Sequence, residues 1–218
     1  MPRETTAAKQ ARARKILDGL QHAYPDAKIA LDFKTPLQLL IATILSAQCT
    51  DERVNMVTPG LFKTYPTAQA LARAKPAKLE KEIRSTGFFR AKTRSLLGMA
   101  QALVERHAGE VPRDRDALVE LPGVGLKTAN VVLGNAFGVD ALAVDTHVFR
   151  VSQRLALAKS ENATEIHDQL VQILPKGRLT QGTHLLIIHG RRTCVARKPA
   201  CPVCAVRALC PWADKTRA

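Results

Sequence analysis

The sequence predicts an all-α fold built from many short helices. Apolar residues recur at helical spacing along most of the chain. Strand-like alternation is confined to Ala27 to Phe33 and Gly138 to Val144, and both stretches read as loops. Aromatic residues make up only 4% of the chain, too few for an all-β protein or a base-stacking platform.

The elements follow in order. Thr6 to Tyr24 places Ile16, Leu17, Leu20 and Ala23 on one helical face. Thr35-Pro36 is a helix start, a capping hydroxyl followed by proline at the first helical position. The run Leu37, Leu39, Leu40, Ile41, Ile44 and Leu45 is apolar nearly all round, which predicts a central, buried helix. Further helices fit Asp51 to Tyr65, Ala68 to Arg73, Pro76 to Ser85, Arg90 to His107, Asp114 to Glu120 and Leu126 to Phe137. The last three fit Asp145 to Leu157, Ala163 to Leu174 and Gln181 to His189. No repeat and no low-complexity linker interrupts them.

Composition bounds the function. With 46% hydrophobic and 24% charged residues, the chain is an ordinary globular protein and not a disordered one. Lysine and arginine number 33 against 19 acids, a net charge of +14. That charge favours a polyanionic partner, nucleic acid before an anionic membrane. No apolar run reaches the roughly 18 residues of a membrane span. Met1 to Lys15 is polar and basic, so no secretory signal is expected there. This segment carries five basic residues and one acid, and Gly190 to Ala218 carries seven and one.

Four of the five cysteines lie in that basic C-terminal stretch. Cys194, Cys201, Cys204 and Cys210 are spaced C-x6-C-x2-C-x5-C. Four thiolates that close satisfy zinc or an iron–sulphur cluster. Without a secretory signal, and with Cys49 left over, disulfides are disfavoured. Spacing alone does not separate zinc from [4Fe–4S]. One close pair with flanking single cysteines, rather than two close pairs, favours the cluster. Arg197 and Lys198 fall in the first interval, placed to meet phosphate. Cys49 follows the buried helix and reads as a core thiol.

Leu121-Pro122-Gly123-Val124-Gly125 lies between two helical segments. Glycine at alternating positions lets the backbone turn tightly and leaves N–H groups open at the next helix start, an anion site suited to a DNA phosphate. Lys127 sits in the first turn of that helix, where its charge opposes the dipole. A solvated surface lysine would carry the same sequence. Asp145 opens the segment Val144-Asp145-Thr146-His147 and reads as a helix N-cap, a role compatible with catalysis.

These residues together resemble the endonuclease III family, helix-hairpin-helix DNA glycosylases with AP lyase activity toward oxidised pyrimidines. The resemblance rests on Leu121-Pro-Gly-Val-Gly-Leu-Lys-Thr-Ala-Asn-Val-Val, on Ala143-Val-Asp-Thr-His-Val-Phe-Arg150, on Leu45-Ser-Ala-Gln-Cys-Thr-Asp51 and on the four cysteines. It runs from about Leu17 to Cys210. It implies two helical domains with a DNA-binding cleft between them. One is a six-helix barrel over residues 29–139 that carries the hairpin. The other joins residues 1–28 to 140–218 around a [4Fe–4S] cluster held by Cys194, Cys201, Cys204 and Cys210.

Carried over residue by residue, the resemblance makes Lys127 the nucleophile and Asp145 the catalytic carboxylate. Gln48 matches the residue that fills the gap left by a flipped base. Phe88 matches an intercalating position where a smaller apolar residue such as leucine is expected, and Cys49 stands where alanine is common. Leu121, Gly123, Val124, Gly125, Thr128, His147, Arg197 and Lys198 complete the expected DNA contacts. The implied partner is duplex DNA with oxidised pyrimidines or abasic sites. The chain would act as a monomer in the cytoplasm, on the nucleoid in a bacterium, with no membrane partner.

A lysine nucleophile must be neutral to attack. The ordinary lysine pKa of about 10.4 lies some three units too high, roughly 4 kcal/mol. A helix dipole offers only about 0.3–1 kcal/mol, so desolvation in the cleft must supply much of the rest. An ionised Asp145 nearby would oppose that shift. Its role is therefore to accept the lysine proton or to stabilise the cationic sugar. An adenine-mismatch glycosylase shares the hairpin and cluster, but normally lacks lysine at position 127 and carries an extra C-terminal domain. A non-catalytic DNA-binding module is disfavoured by Lys127 and Asp145. A cluster-bearing electron carrier is disfavoured by the charge and the hairpin.

Overall fold

Seven helices begin at a side chain that accepts a hydrogen bond from their first turn, and this capping punctuates the fold. The structure, a computed structural model, describes residues 4–216. Arg3 and Arg217, counted above in the basic ends, lie outside the described residues. In chain order the helices are α1 (Thr6–Ala23), α2 (Pro36–Leu45), α3 (Asp51–Thr64), α4 (Ala68–Ala72), α5 (Pro76–Ile83) and α6 (Phe89–Arg106). There follow α7 (Arg115–Val119), α8 (Leu126–Ala136), α9 (Thr146–Arg154), α10 (Ala163–Ile173) and α11 (Leu179–Arg192). No strand occurs among the described residues, so the chain is all-α. None of these helices is long and apolar enough to cross a membrane.

The chain divides into two compact units, Met1–Ile29 with Asp140–Ala218, and Ala30–Val139. In the second, α2 is the central helix. Leu39 through Leu45 are all buried, as the all-round apolar run predicts. Its five large aliphatic side chains contribute roughly 10 kcal/mol of burial, before the entropy of ordering them is counted. Helices α3, α6 and α8 pack against it, α4 and α5 lie on α6, and α7 lies on α8. In the first unit, Ile16, Leu17 and Leu20 of α1 share a core with Val148 and Val151 of α9, Ile166 and Leu170 of α10 and Leu185 and Leu186 of α11. Cys194, Cys204 and Cys210 pack against its edge.

The caps are Thr5, Thr35, Thr50, Thr67, Asp114, Asp145 and Asn162, each placed just before its helix. A capping oxygen supplies one of the four acceptors that the first turn lacks. Helix α5 has no such cap but starts on Pro76, which has no N–H to satisfy. Helix α11 is served from a distance. Asp140 accepts from Leu179 N at 2.7 Å and from Gly177 N. This is why α11 starts at Leu179 and not at Gln181, as the periodicity predicts. Only α6 and α8 start without a side-chain cap or an N-terminal proline or distant carboxylate.

Two further boundaries differ from expectation. Helix α9 stops at Arg154, short of Leu157, because Ala156 is left-handed at φ 49°. The Leu157 N–H then reaches back to Ser152 O at 2.9 Å, a Schellman ending with alanine where glycine is usual. Helix α5 gives way at Ile83 to a single 3-10 turn, Arg84–Thr86.

Candidate functional site

The hairpin between α7 and α8 is fixed by one glycine. Val124 N bonds Leu121 O at 3.0 Å, and Gly123 closes the turn at φ 78°. A Cβ at Gly123 would lie 2.5 Å from Ser95 Cβ and 2.7 Å from Ser95 Oγ on α6. Both the backbone conformation and the packing therefore exclude a side chain. Leu121 and Val124 are buried, which anchors the turn in the core. Their side chains point into the core, so what these two positions offer outward is backbone. Gly123 and Gly125 are exposed, and Gly125 opens α8 with nothing within 4 Å of the Cβ it lacks. The first-turn N–H groups of α8 thus face outward beside an exposed Lys127, with Thr128 half-buried behind it.

Two other nominated residues of this unit sit on strained tips. Gln48 is exposed at φ 50° in the turn after α2, and Phe88 is 65% exposed at φ 47° just before α6. Lys198 in the other unit is also exposed, at φ 50°. Five non-glycine residues among those described have positive φ, and these are three of them. Such strain persists where the surroundings fix it, and it gathers at functional sites. Cys49 is half-buried and not the core thiol expected. It lies in the turn beyond the end of α2, where Cys49 N bonds Ser46 O at 3.1 Å.

Lys92, on α6, escapes a reading of motifs. It is 5% exposed, and its Nζ donates to Leu45 O at 2.8 Å and Thr86 O at 2.7 Å. Burial pushes its pKa below the ordinary lysine value, against the opposing effect of Cys49. The signal was its register, one turn before Leu96 on the buried face of α6.

In the other unit, Asp145 caps α9, with Oδ1 accepting from Val148 N at 2.7 Å. The cap uses one carboxylate oxygen. His147 is half-buried in the first turn of the helix, and its Nδ1 lies 3.2 Å from Arg150 Nη2. Burial pushes the His147 pKa down, the Asp145 carboxylate pulls it back up, and Arg150 and Arg191 push it down further.

The C-terminal end of the same helix holds the cysteine loop. Arg150 Nη2 donates to Gly190 O at 2.9 Å, and Arg154 donates to Val195 O at 2.8 Å and Ala196 O at 2.9 Å. Arg154 Nη1 also approaches Cys194 Sγ at 3.4 Å, and its guanidinium stacks on Trp212, 4.2 Å from the ring centroid. Cys194, Cys201, Cys204 and Cys210 are all free thiols and line one cavity with Arg154, His189 and Trp212. Burial raises the Cys204 pKa first, and the other three cysteines raise it further, so the four sulphurs share one electrostatic space. His189 Nε2 lies 3.7 Å from Cys204 Sγ, and burial pushes the His189 pKa down to about 4. Its Nδ1 meets Tyr24 Oη at 3.0 Å. Among the described residues no group of three or more His, Cys, Asp or Glu is gathered as a ready single-ion site. The cavity that the four free thiols line is also bordered by Arg154, Arg207 and Lys215. Arg197 is exposed on the loop beyond Cys194, next to Lys198.

Residues 41–176 match the model of the HhH-GPD superfamily base excision DNA repair proteins. The chain is 50% identical to endonuclease III of Synechocystis sp., covering 95% of each protein. It is 40% identical to endonuclease III of Escherichia coli, covering 94% of this chain and 98% of that one. Among solved structures it resembles a trapped endonuclease III–DNA covalent intermediate, with TM-score 0.88 and 44% identity over 93% of this chain and 95% of that chain. A thermostable thymine-DNA glycosylase shares the fold at TM-score 0.85 and 23% identity, over 94% of this chain and 98% of that one.

The turn geometry sets a stability test. Gly123→Ala should destabilise the protein by about 3 kcal/mol, combining left-handed strain with overpacking against Ser95. In Ser95→Gly protein the same change should cost only about 1–2 kcal/mol, the strain alone. Urea unfolding of the four proteins measures both values, and equal costs in the two backgrounds would contradict the packing.

Proposed function

The chain belongs to the HhH-GPD superfamily of base excision DNA repair proteins and, within it, to the endonuclease III family of DNA glycosylases with AP lyase activity, and from that premise we propose that it removes oxidised pyrimidines through an imine on Lys127. One observation carries this reading. Lys127 is exposed in the first turn of α8, beside a hairpin whose geometry leaves that helix start open.

The proposed steps use this chain's own groups. Phosphates flanking the lesion meet the open N–H groups of the hairpin and the exposed Arg197 and Lys198. The damaged base leaves the stack, Phe88 wedges the strand and Gln48 takes the vacated space. Lys127 Nζ then attacks C1′, and the base departs with the electron pair of the glycosidic bond. The nitrogen loses its proton to Asp145, the sugar ring opens, and a C1′=Nζ imine forms. Loss of a 2′ proton expels the 3′ phosphate, and water releases the lysine. Since Lys127 is exposed, stripping water from its amine falls to the bound duplex, which fills the role that sequence reasoning gave to a cleft. Asp145 spends one oxygen on its cap and keeps the other for the proton.

We also propose that Cys194, Cys201, Cys204 and Cys210 hold a [4Fe–4S] cluster. What supports this is a cavity lined by four free thiols, with arginines from α9 gripping the loop. When bound, the cluster supplies iron–thiolate bonds whose formation is folding energy for the loop. Arg154 beside Cys194 would offset thiolate charge, and His189 beside Cys204 would orient its sulphur.

Two outcomes are expected. Protein, a duplex containing an oxidised thymine and borohydride should give a covalent adduct that survives denaturation. Lys127→Gln should lose the adduct and the strand break, by at least about a thousandfold, while still binding the lesion. A Lys127→Gln protein that still traps assigns the nucleophile elsewhere. Separately, the purified protein should be yellow-brown with about four irons per chain. Cys201→Ser should lose colour and iron and loosen residues near it to proteolysis. A colourless protein with stoichiometric zinc would refute the cluster.

A further inference from the structure

Lys92 is a buried amine that donates to two backbone carbonyls, on a face otherwise given to Leu96, Met99 and Leu103. Such a group is expensive to bury, and its location says what it offsets. Leu45 is the last residue of α2, and Thr86 is the last residue of the 3-10 turn Arg84–Thr86. Their carbonyls belong to helix ends, where acceptors lack intrahelical donors and the dipole is negative. One ammonium therefore caps two helix ends that are far apart in sequence.

What lies just beyond each carbonyl is unusual. Three residues after Leu45 stands Gln48, exposed and left-handed. Two residues after Thr86 stands Phe88, also left-handed, and 65% exposed. Beside Phe88 in the chain, Arg84 and Arg90 both lie over the Phe89 ring, at 5.9 and 5.5 Å. Strained tips hold their shape only where their roots are fixed. Here the roots of both tips are fixed by the same nitrogen atom.

We propose that Lys92 is a positioning residue that sets Gln48 and Phe88 relative to one another, so that both enter the same step of a duplex. This rests on the reading of Gln48 as gap filler and Phe88 as wedge. Two groups inserted at neighbouring positions of a stack must agree in placement, and a misplacement of about 1 Å costs on the order of a hundredfold in rate. Lys92 makes no contact with DNA in this role. Its effect passes entirely through the two tips.

That property separates positioning from general stabilisation. Lys92→Met keeps the side-chain length and removes the donors. In otherwise unchanged protein it should slow single-turnover excision of an oxidised thymine from duplex by about 10–100-fold. In Gln48→Ala/Phe88→Ala protein the same change should slow excision less than about threefold, because nothing is left to position. A 2-aminopurine placed opposite the lesion should lose its fluorescence change in Lys92→Met as it does in the tip-less protein. An equal fold-loss in both backgrounds, or no loss in either, overturns the proposal. If Gln48→Ala/Phe88→Ala itself excises at the parent rate, the reading of the tips fails first and the proposal falls with it. Should Lys92→Met not fold, Lys92→Arg carries the same comparison, since its wider fork keeps donors but shifts the tips.

Discussion

Gly123 has no room for a side chain, and much of the chemistry hangs on that exclusion. Ser95 fills the place where a Cβ would go, and the left-handed turn that results delivers the chain into α8 without a capping side chain. Most helices here spend an oxygen on their first turn. This one leaves its N–H groups open and puts a lysine among them. A cation at the positive end of a helix is disfavoured by about 0.3–1 kcal/mol. The site thus holds an exposed amine next to donors that gain from meeting phosphate.

The unit formed by both chain ends uses one helix for two purposes. Helix α9 begins on Asp145, whose Oδ1 caps it, and ends on Arg150 and Arg154, whose guanidiniums hold the cysteine loop. A rigid nine-residue helix links them. Whatever fastens the loop fixes α9, and whatever fixes α9 fixes the direction of the Asp145 carboxylate. A cluster there is thus consistent with a structural part in catalysis even though no step passes through it. Tyr24 ties α1 into the same arrangement through His189 and Thr193.

How much of this is legible in the sequence depends on which residue types leave a mark. Threonine, aspartate and asparagine before an apolar run announce a helix start, so most starts are readable. The glycine pair of the hairpin and the cysteine spacing are readable because few other residues can do their work. The end of α9 is not, because Ala156 takes a left-handed conformation that alanine does not advertise. The start of α11 is not, because its cap comes from Asp140, 39 residues earlier than Leu179. Leu121 and Val124 belong to the hairpin motif by position, yet their side chains turn inward, a distinction that only the packed turn reveals. Lys92 shows in the sequence as a lysine on a buried face. That its partners are two helix ends from elsewhere in the fold is tertiary information.

The claim on which the functional account turns is that one particular amine bonds to the sugar. Peptide mapping of the borohydride-reduced adduct tests it directly. After nuclease and trypsin digestion, tandem mass spectrometry locates the residue that carries the reduced deoxyribose fragment and resists cleavage. The account predicts that fragment on Lys127, within the peptide that begins at Asp116 after Arg115. A fragment on any other lysine, or on the N-terminal amine, would contradict it.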